Sequence, residues 1–248
     1  MNEIKSQHIK ISNLKKEVKN NIGFTEVLIN DLTVDIELEP KNITAILVPQ
    51  GGAEMAKLIA GLEVINAGKI ELNGADKVIY IPRKPSSFPW LNVENNIRFV
   101  LDRSSINEEE KTNKIKFLLE LTGLDDYEKH FPDNKSLGFR FRISLARALA
   151  AAPEIILMDN SLDGMERQTK GEAYSLLKSI AKKVNSHLIY STNNISEAVT
   201  LSKNVFVFGK KPLEYCGQID LDGISAHEGR INKVAEVING NNLSGFKI

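Results

Sequence analysis

Apolar residues recur along this chain at two spacings, one of two residues and one of three to four. His8–Leu14 and Val27–Leu38 alternate apolar and polar side chains, the pattern of half-buried strands. Ile43–Val48 and Glu154–Met158 are short apolar runs, which predicts strands covered on both faces. Lys69–Leu72 and Lys77–Ile81 are shorter strand candidates on either side of Asn73-Gly74, a hairpin signal. His187–Ser191 and Val205–Phe208 read as further strands. Helices are expected from Met55 to Leu62, over Asn107–Leu121, around Ile143, Ala146 and Leu149, and over Glu166–Val184. Asn107 with Glu110 has the form of a capping box, and Gly123 and Pro153 act as stops.

Composition narrows this picture. The 248 residues are 42% hydrophobic, enough for one compact α/β domain with a small subdomain, or a tight pair. Lys and Arg number 32 and so do Asp and Glu, so no strong field favours nucleic acid or anionic lipid. The single cysteine, Cys216, excludes an internal disulfide framework and is expected to be an inert buried thiol. No signal-peptide pattern and no membrane-length apolar run is visible, which predicts a cytoplasmic chain. His8, His130, His187 and His227 are scattered and show no metal-ligand spacing.

Candidate chemistry sits where strands end. Pro49-Gln-Gly-Gly52 lies between an apolar strand and a helix, the place of a phosphate loop. Asp159-Asn160 closes the run Ile155–Met158, at the carboxyl end of a strand, where open α/β sheets hold ligands.

The ordered run LIAGL, PWL-V-EN, SLARALA and PEIILMD resembles ATP-binding cassette (ABC) ATPases of the nitrate/sulfonate/taurine importer type. The likeness covers most of residues 7–222. It implies the P-loop ABC fold: a mixed α/β core, an antiparallel β subdomain and a helical subdomain at about 85–152, followed by a C-terminal extension at about 210–248. It also implies a single ABC-type domain over 1–248, ATP and Mg²⁺ as ligands, a membrane permease as partner, and a dimer with itself or with an active ABC ATPase subunit. The location implied is the inner face of the cell membrane, reached through that partner.

The residues that carry the family's chemistry differ. The family's phosphate loop reads GPSGCGKSTLLRLIAGL; here it is VPQGGAEMAKLIAGL, with no lysine or Ser/Thr in place and Glu54 near the lysine's position. A carboxylate about 6 Å from a phosphate charge costs about 2–3 kcal/mol at an effective dielectric near 20. Missing charge-assisted bonds forfeit about 1.5–3 kcal/mol each. Gly51 and Gly52 are therefore weak cofactor-binding candidates, and ATP with Mg²⁺ is expected to bind weakly. Ser136 and Gly138 match signature positions that touch a γ-phosphate across the family's dimer, but Leu137 replaces a glycine between them. Asp159 matches the Mg²⁺-binding acid. Arg83 replaces the loop glutamine, Asn160 the catalytic glutamate and Asn193 the switch histidine. An asparagine cannot accept the proton, and losing such a group costs about 10²–10⁴ in rate. Val18 stands at the adenine-stacking position, and Phe24 is expected to anchor core or loop.

By contrast, the PWL-V-EN frame persists, and Phe88, Trp90 and Leu91 are the candidate permease interface. Trp90 reads equally as core or as an exposed anchor. The likeness thus implies a degenerate ABC subunit, a pseudo-ATPase docked on a permease. Two alternatives stay open: an active import ATPase in which Lys57, Lys41 or Arg83 replaces the lost cation, and a soluble regulator that uses the fold alone.

Overall fold

The period-two stretches build two sheets. In the computed structural model, residues 7–19, 23–49, 54–133, 135–209 and 212–247 are described. Strands β1 (Gln7–Lys19), β2 (Thr25–Leu38) and β4 (Ala67–Asn73) form an antiparallel sheet in the order β2-β1-β4. Its inner face carries Ile9, Ile11, Val34, Ile36 and Leu38, all buried. Gly68 at φ 88° allows β4 to pass β1 closely, because a Cβ there would lie 2.4 Å from the Asn13 carbonyl oxygen.

The second sheet has six strands in the order β5-β6-β7-β3-β8-β9: β5 (Val78–Ile81), β6 (Ile155–Asp159), β7 (His187–Thr192), β3 (Ile43–Leu47), β8 (Asn204–Gly209) and β9 (Glu214–Asp220). It is parallel except for the β8–β9 pair. The apolar run of β6 is divided between two cores as a strand's period demands. Ile156 and Met158 join the cluster beneath the helices, and Ile155 and Leu157 join the cluster beneath the antiparallel sheet. A third cluster joins β3 and β8 to α6 (Ile195–Leu201) and α7 (His227–Gly240).

The Asn73-Gly74 hairpin is not formed. β4 pairs with β1 and β5 pairs with β6, so the turn, with Gly74 at φ 86°, carries the chain from one sheet to the other. Local turn chemistry fixed the bend but not the partner strands. Helix α1 (Glu54–Ile59) is shorter than expected at its C-terminal end. Helix α2 (Val93–Leu101) is capped by Asn92, and α3 (Glu108–Thr122) has the expected reciprocal Asn107/Glu110 capping box and a left-handed Gly123 after it. Helix α4 (Leu137–Ala150) buries Ile143, Ala146 and Leu149 as its spacing predicts, and Phe141, Leu145 and Ala148 as well. Helix α5 (Arg167–Lys183) precedes β7. Cys216 is half-buried rather than buried. Phe24 is 70% exposed and anchors no core. No described helix is long and apolar enough to cross a membrane.

Candidate functional site

Parallel strands β3, β6 and β7 lie side by side and end together, so one edge of the sheet gathers Val48, Asp159 and Thr192. The Val48 N–H donates to the Thr192 carbonyl at 2.9 Å. The Pro49-Gln-Gly-Gly52 segment comes next in the sequence, and Gln50, Gly51 and Gly52 lie outside the described residues, as does the Glu54 side chain.

Asp159 is 5% exposed. Its Oδ2 accepts a hydrogen bond from the Tyr80 hydroxyl on the adjacent strand β5 at 2.7 Å. Burial and this carboxylate together push the Tyr80 phenol well above its ordinary range, so Tyr80 stays a neutral donor. Asn160 follows in the left-handed region at φ 46°, where asparagine is tolerated. Its N–H donates to the Ser191 carbonyl at 2.7 Å, and its carbonyl accepts from the Asp163 N–H at 3.0 Å, closing a turn. Thr192 Oγ1 lies 3.4 Å from Asn160 Oδ1.

Asn193 is 9% exposed, and its carbonyl accepts from the Lys247 N–H at 2.8 Å. The Lys247 carbonyl in turn accepts from the Ile195 N–H at 2.8 Å, so the C-terminal tail forms a parallel bridge on the segment after β7. Arg83 is ion-paired with Asp163, and Lys247 Nζ stands 3.9 Å from the same carboxyl. The contacts therefore link Asp159, Asn160, Asn193 and Arg83 in one region.

Ser136 and Gly138 stand apart, at the start of α4. Ser136 Oγ accepts from the Phe139 N–H at 3.2 Å as the helix cap. Gly138 lies against α5, where a Cβ would come within 2.4 Å of Thr169 Cγ2. Of the two readings left open for Trp90, the core one is excluded, since the residue is 70% exposed. Its ring stacks on Phe88 with centroids 5.3 Å apart, and Phe88 meets Phe99 edge-on at 4.8 Å. Phe88 and Leu91 are half-buried.

This geometry is matched by known proteins. The family profile described as ABC transporter matches residues 33–163, more than half of the chain. The chain belongs to the ABC transporter ATP-binding family. The taurine import ATP-binding protein TauB of Rhizobium johnstonii is 32% identical over 69% of this chain and 68% of its own. The aliphatic sulfonates import ATP-binding protein SsuB of Bacillus cereus is 28% identical over 82% of each chain. The nitrate import ATP-binding protein NrtD of Synechocystis is 26% identical over 83% of this chain and 79% of its own. Among solved structures, cbiO1 from Clostridium perfringens, part of the ABC transporter complex cbiONQ, superposes with a TM-score of 0.74 at 18% identity. It covers 93% of this chain and 94% of its own. A dimeric ATP-binding cassette in a post-hydrolysis state with ADP and phosphate gives 0.71 at 21% identity, over 87% of this chain and all of its own. The ABC fold is thereby established.

Within this ABC domain, three features escaped the sequence reading. Tyr80 was one apolar-strand position among four. Glu197, 3% exposed, accepts from Lys170 Nζ at 2.6 Å, Tyr190 at 3.0 Å and Thr192 Oγ1 at 2.9 Å. Removing one member of such a buried group costs about 3–5 kcal/mol, which makes it the anchor of the segment carrying Asn193. Asp163 draws Arg83 and Lys247 together from chain positions far apart. No residue spacing announces any of the three. For a metal, Asp159 is the only acid at the ends of β3, β6 and β7 among the described residues. Mg²⁺ is typically held by one or two carboxylates together with phosphate oxygens and water, so the donor set fits only with a nucleotide present. No cluster of three His, Cys, Asp or Glu side chains suited to a metal occurs among the described residues.

Proposed function

We propose that this chain is the ABC subunit of an importer-type transporter, that it docks on a membrane permease, and that its own nucleotide site is degenerate. The importer type is supported by the TauB, SsuB and NrtD relatives, which are import ATP-binding proteins, and an import ATPase of this family needs a membrane permease to act on. A dimer with an active ATPase subunit, or with a second copy, completes the assembly. On this reading residues of about 85–152 act as the helical subdomain that meets the permease, and those of about 210–248 as a C-terminal extension.

One observation carries the degenerate reading. Asp159 is flanked at the strand ends by two amides, Asn160 and Asn193, where the family places a proton-accepting glutamate and an imidazole. Both amides are already held in place: the backbone of Asn160 is bonded to Ser191 and Asp163, and that of Asn193 to Lys247. Arg83, at the loop-glutamine position, is engaged with Asp163. Isothermal titration with Mg-ATP tests the reading directly. Binding is expected to be undetectable or weaker than millimolar, and a micromolar dissociation constant would overturn it.

A second reading has one observation in its favour. Asp159 is retained and buried, with the neutral donor Tyr80 on one oxygen. On that reading the chain is an active import ATPase working through atypical residues, and the same titration gives the micromolar value.

A further inference from the structure

On the edge of the six-stranded sheet opposite Asp159 lies a pocket of about 220 Å³. Its walls are the turn before β3, the last turns of α5, the C-terminus of α6 and the start of α7. β3 spans five residues at about 3.3 Å each, so the pocket stands about 15 Å from the strand ends that carry Asp159. Five cations line it, Lys41, Lys178, Lys182, Lys203 and Arg230, and no carboxylate does among the described residues. Lys203 has a counter-charge in Asp222 at 2.8 Å. Lys41, Lys178, Lys182 and Arg230 form no ion pair among the described residues.

The fold holds these charges together against their repulsion. Lys178 and Lys182 are one turn apart on α5, a spacing at which like charges oppose the helix. Burial, with the charges of Arg230 and Lys182, pushes the Lys178 ammonium below its ordinary range. Lys41 sits in the left-handed region at φ 60°, which a lysine seldom adopts. Arg230 is fixed by three backbone carbonyls: Nε donates to Ile224 at 2.7 Å, Nη1 to Val199 at 3.0 Å and Nη2 to Leu221 at 3.4 Å. A guanidinium has five N–H donors, so two remain beyond these. Helix ends account for part of the set. α5 and α6 both finish here, and each C-terminus is worth about half a negative charge. Asp222 and Glu39 add two carboxylates, Glu39 being held by the Asn42 amide at 2.8 Å and by Asn204. Against five cations, about two positive charges stay uncompensated.

We propose that this pocket binds a phosphate group as its dianion, either free phosphate or the end of a small phosphate monoester, with Lys41, Lys178 and Lys182 around it and Arg230 as the fixed donor. The inference does not depend on the state of the Asp159 edge. A phosphate group carries about 1.5–2 negative charges near pH 7 and several strong acceptor oxygens, which matches both the surplus charge and the spare donors. A monoanion would offset only half of the surplus. A nucleic acid would need phosphate contacts spread along a groove, whereas these cations converge on one pocket in a chain of zero net charge.

Isothermal titration of the full chain with inorganic phosphate at low salt tests the site, with glycerol phosphate in a second arm and nitrate as the monoanion control. Phosphate is expected to bind with a submillimolar dissociation constant, about tenfold or more tighter than nitrate, and to weaken as salt is raised. Lys178→Gln combined with Lys182→Gln should weaken it about a hundredfold, or about tenfold for each charge-assisted bond removed. The same double variant separates a ligand site from mere capping of the helix ends. For a ligand site, phosphate raises the melting temperature of the wild type, and the variant melts at least as high without phosphate and does not respond to it. Capping alone predicts that the variant melts lower and that phosphate shifts neither protein, and that result overturns the proposal. Glycerol phosphate binding about tenfold tighter than phosphate identifies a monoester as occupant; equal or weaker binding identifies free phosphate. Nitrate binding as tightly as phosphate, or phosphate binding unchanged in the double variant, overturns the dianion site.

Discussion

Trp90→Ala separates a surface role from a packing role by magnitude. The residue is 70% exposed, so roughly a third of its surface is covered, and its ring stacks on Phe88. A tryptophan can bury up to about 250 Å², which puts the covered part near 75 Å². At about 25 cal/mol per Å² that is about 2 kcal/mol, an upper bound because the unfolded chain already hides some of it. The alanine methyl retains part of the contact, so the expected loss is about 1 kcal/mol. A core tryptophan would cost about 3–5 kcal/mol. Urea unfolding followed by far-ultraviolet circular dichroism measures the difference, since the variant has no tryptophan emission. In a thermal scan about 1 kcal/mol is about 2–4 °C for a chain of this size. Association with a permease should fall far more, by about 2 kcal/mol or about 30-fold, because exposed aromatic anchors dominate such contacts. A stability loss above about 3 kcal/mol, or undiminished permease co-purification by the folded variant, refutes the surface role.

Steady-state ATP hydrolysis by the chain alone should be negligible, because Asn160 and Asn193 supply neither a base nor an imidazole; a turnover near about 1 s⁻¹ that Asp159→Ala abolishes would count against the degenerate site. Gly138→Ala should cost about 1–3 kcal/mol, since its methyl would meet Thr169 Cγ2 at 2.4 Å; Thr169→Ser, which removes that carbon, should recover most of the loss, and no recovery would show that the contact is not the cause. Burial works to raise the Asp163 carboxyl, but the hydrogen bond and charge of Arg83, with Lys247 and Lys170, hold it below its ordinary 3.8. A lowered folded-state value stabilises the chain above about pH 4, and that contribution disappears as pH falls through the folded value. Asp163→Asn should therefore flatten the acid limb of the stability curve below pH 4 and leave its slope near pH 7 unchanged; an unaltered acid limb would mean that the Arg83 tie does not hold the turn.

The parts legible in the sequence were those whose physics is local or periodic. The capping box at Asn107 and Glu110 and the strand Ile155–Met158 are set by neighbours within a few residues, and both stand where their spacing puts them. The Asn73-Gly74 turn shows the limit of local rules. Its residues do bend the chain, yet β4 pairs with β1 and β5 with β6, partners that come from far along the chain and that no local signal specifies. Trp90 shows another limit. A tryptophan between Pro89 and Leu91 has the same sequence signal whether it is inside or out, and only the placement of Phe88 and α2 leaves it in water. The candidate site was half legible for the same reason. Asp159, Asn160 and Asn193 could be located because each ends a recognisable strand. What surrounds them could not be. Tyr80 comes from 79 positions away to bind Asp159, and Lys170 comes from 27 away to neutralise Glu197. A cavity lined by four cations, between β5 and helices α2, α3 and α4, is the extreme case. Lys77, Arg103, Lys114 and Arg147 are dispersed along a chain of zero net charge, and no linear window contains an excess of basic residues around all four. Tyr80 lines that cavity and also donates to Asp159, so the cavity and the strand-end acid share a side chain that no motif singles out.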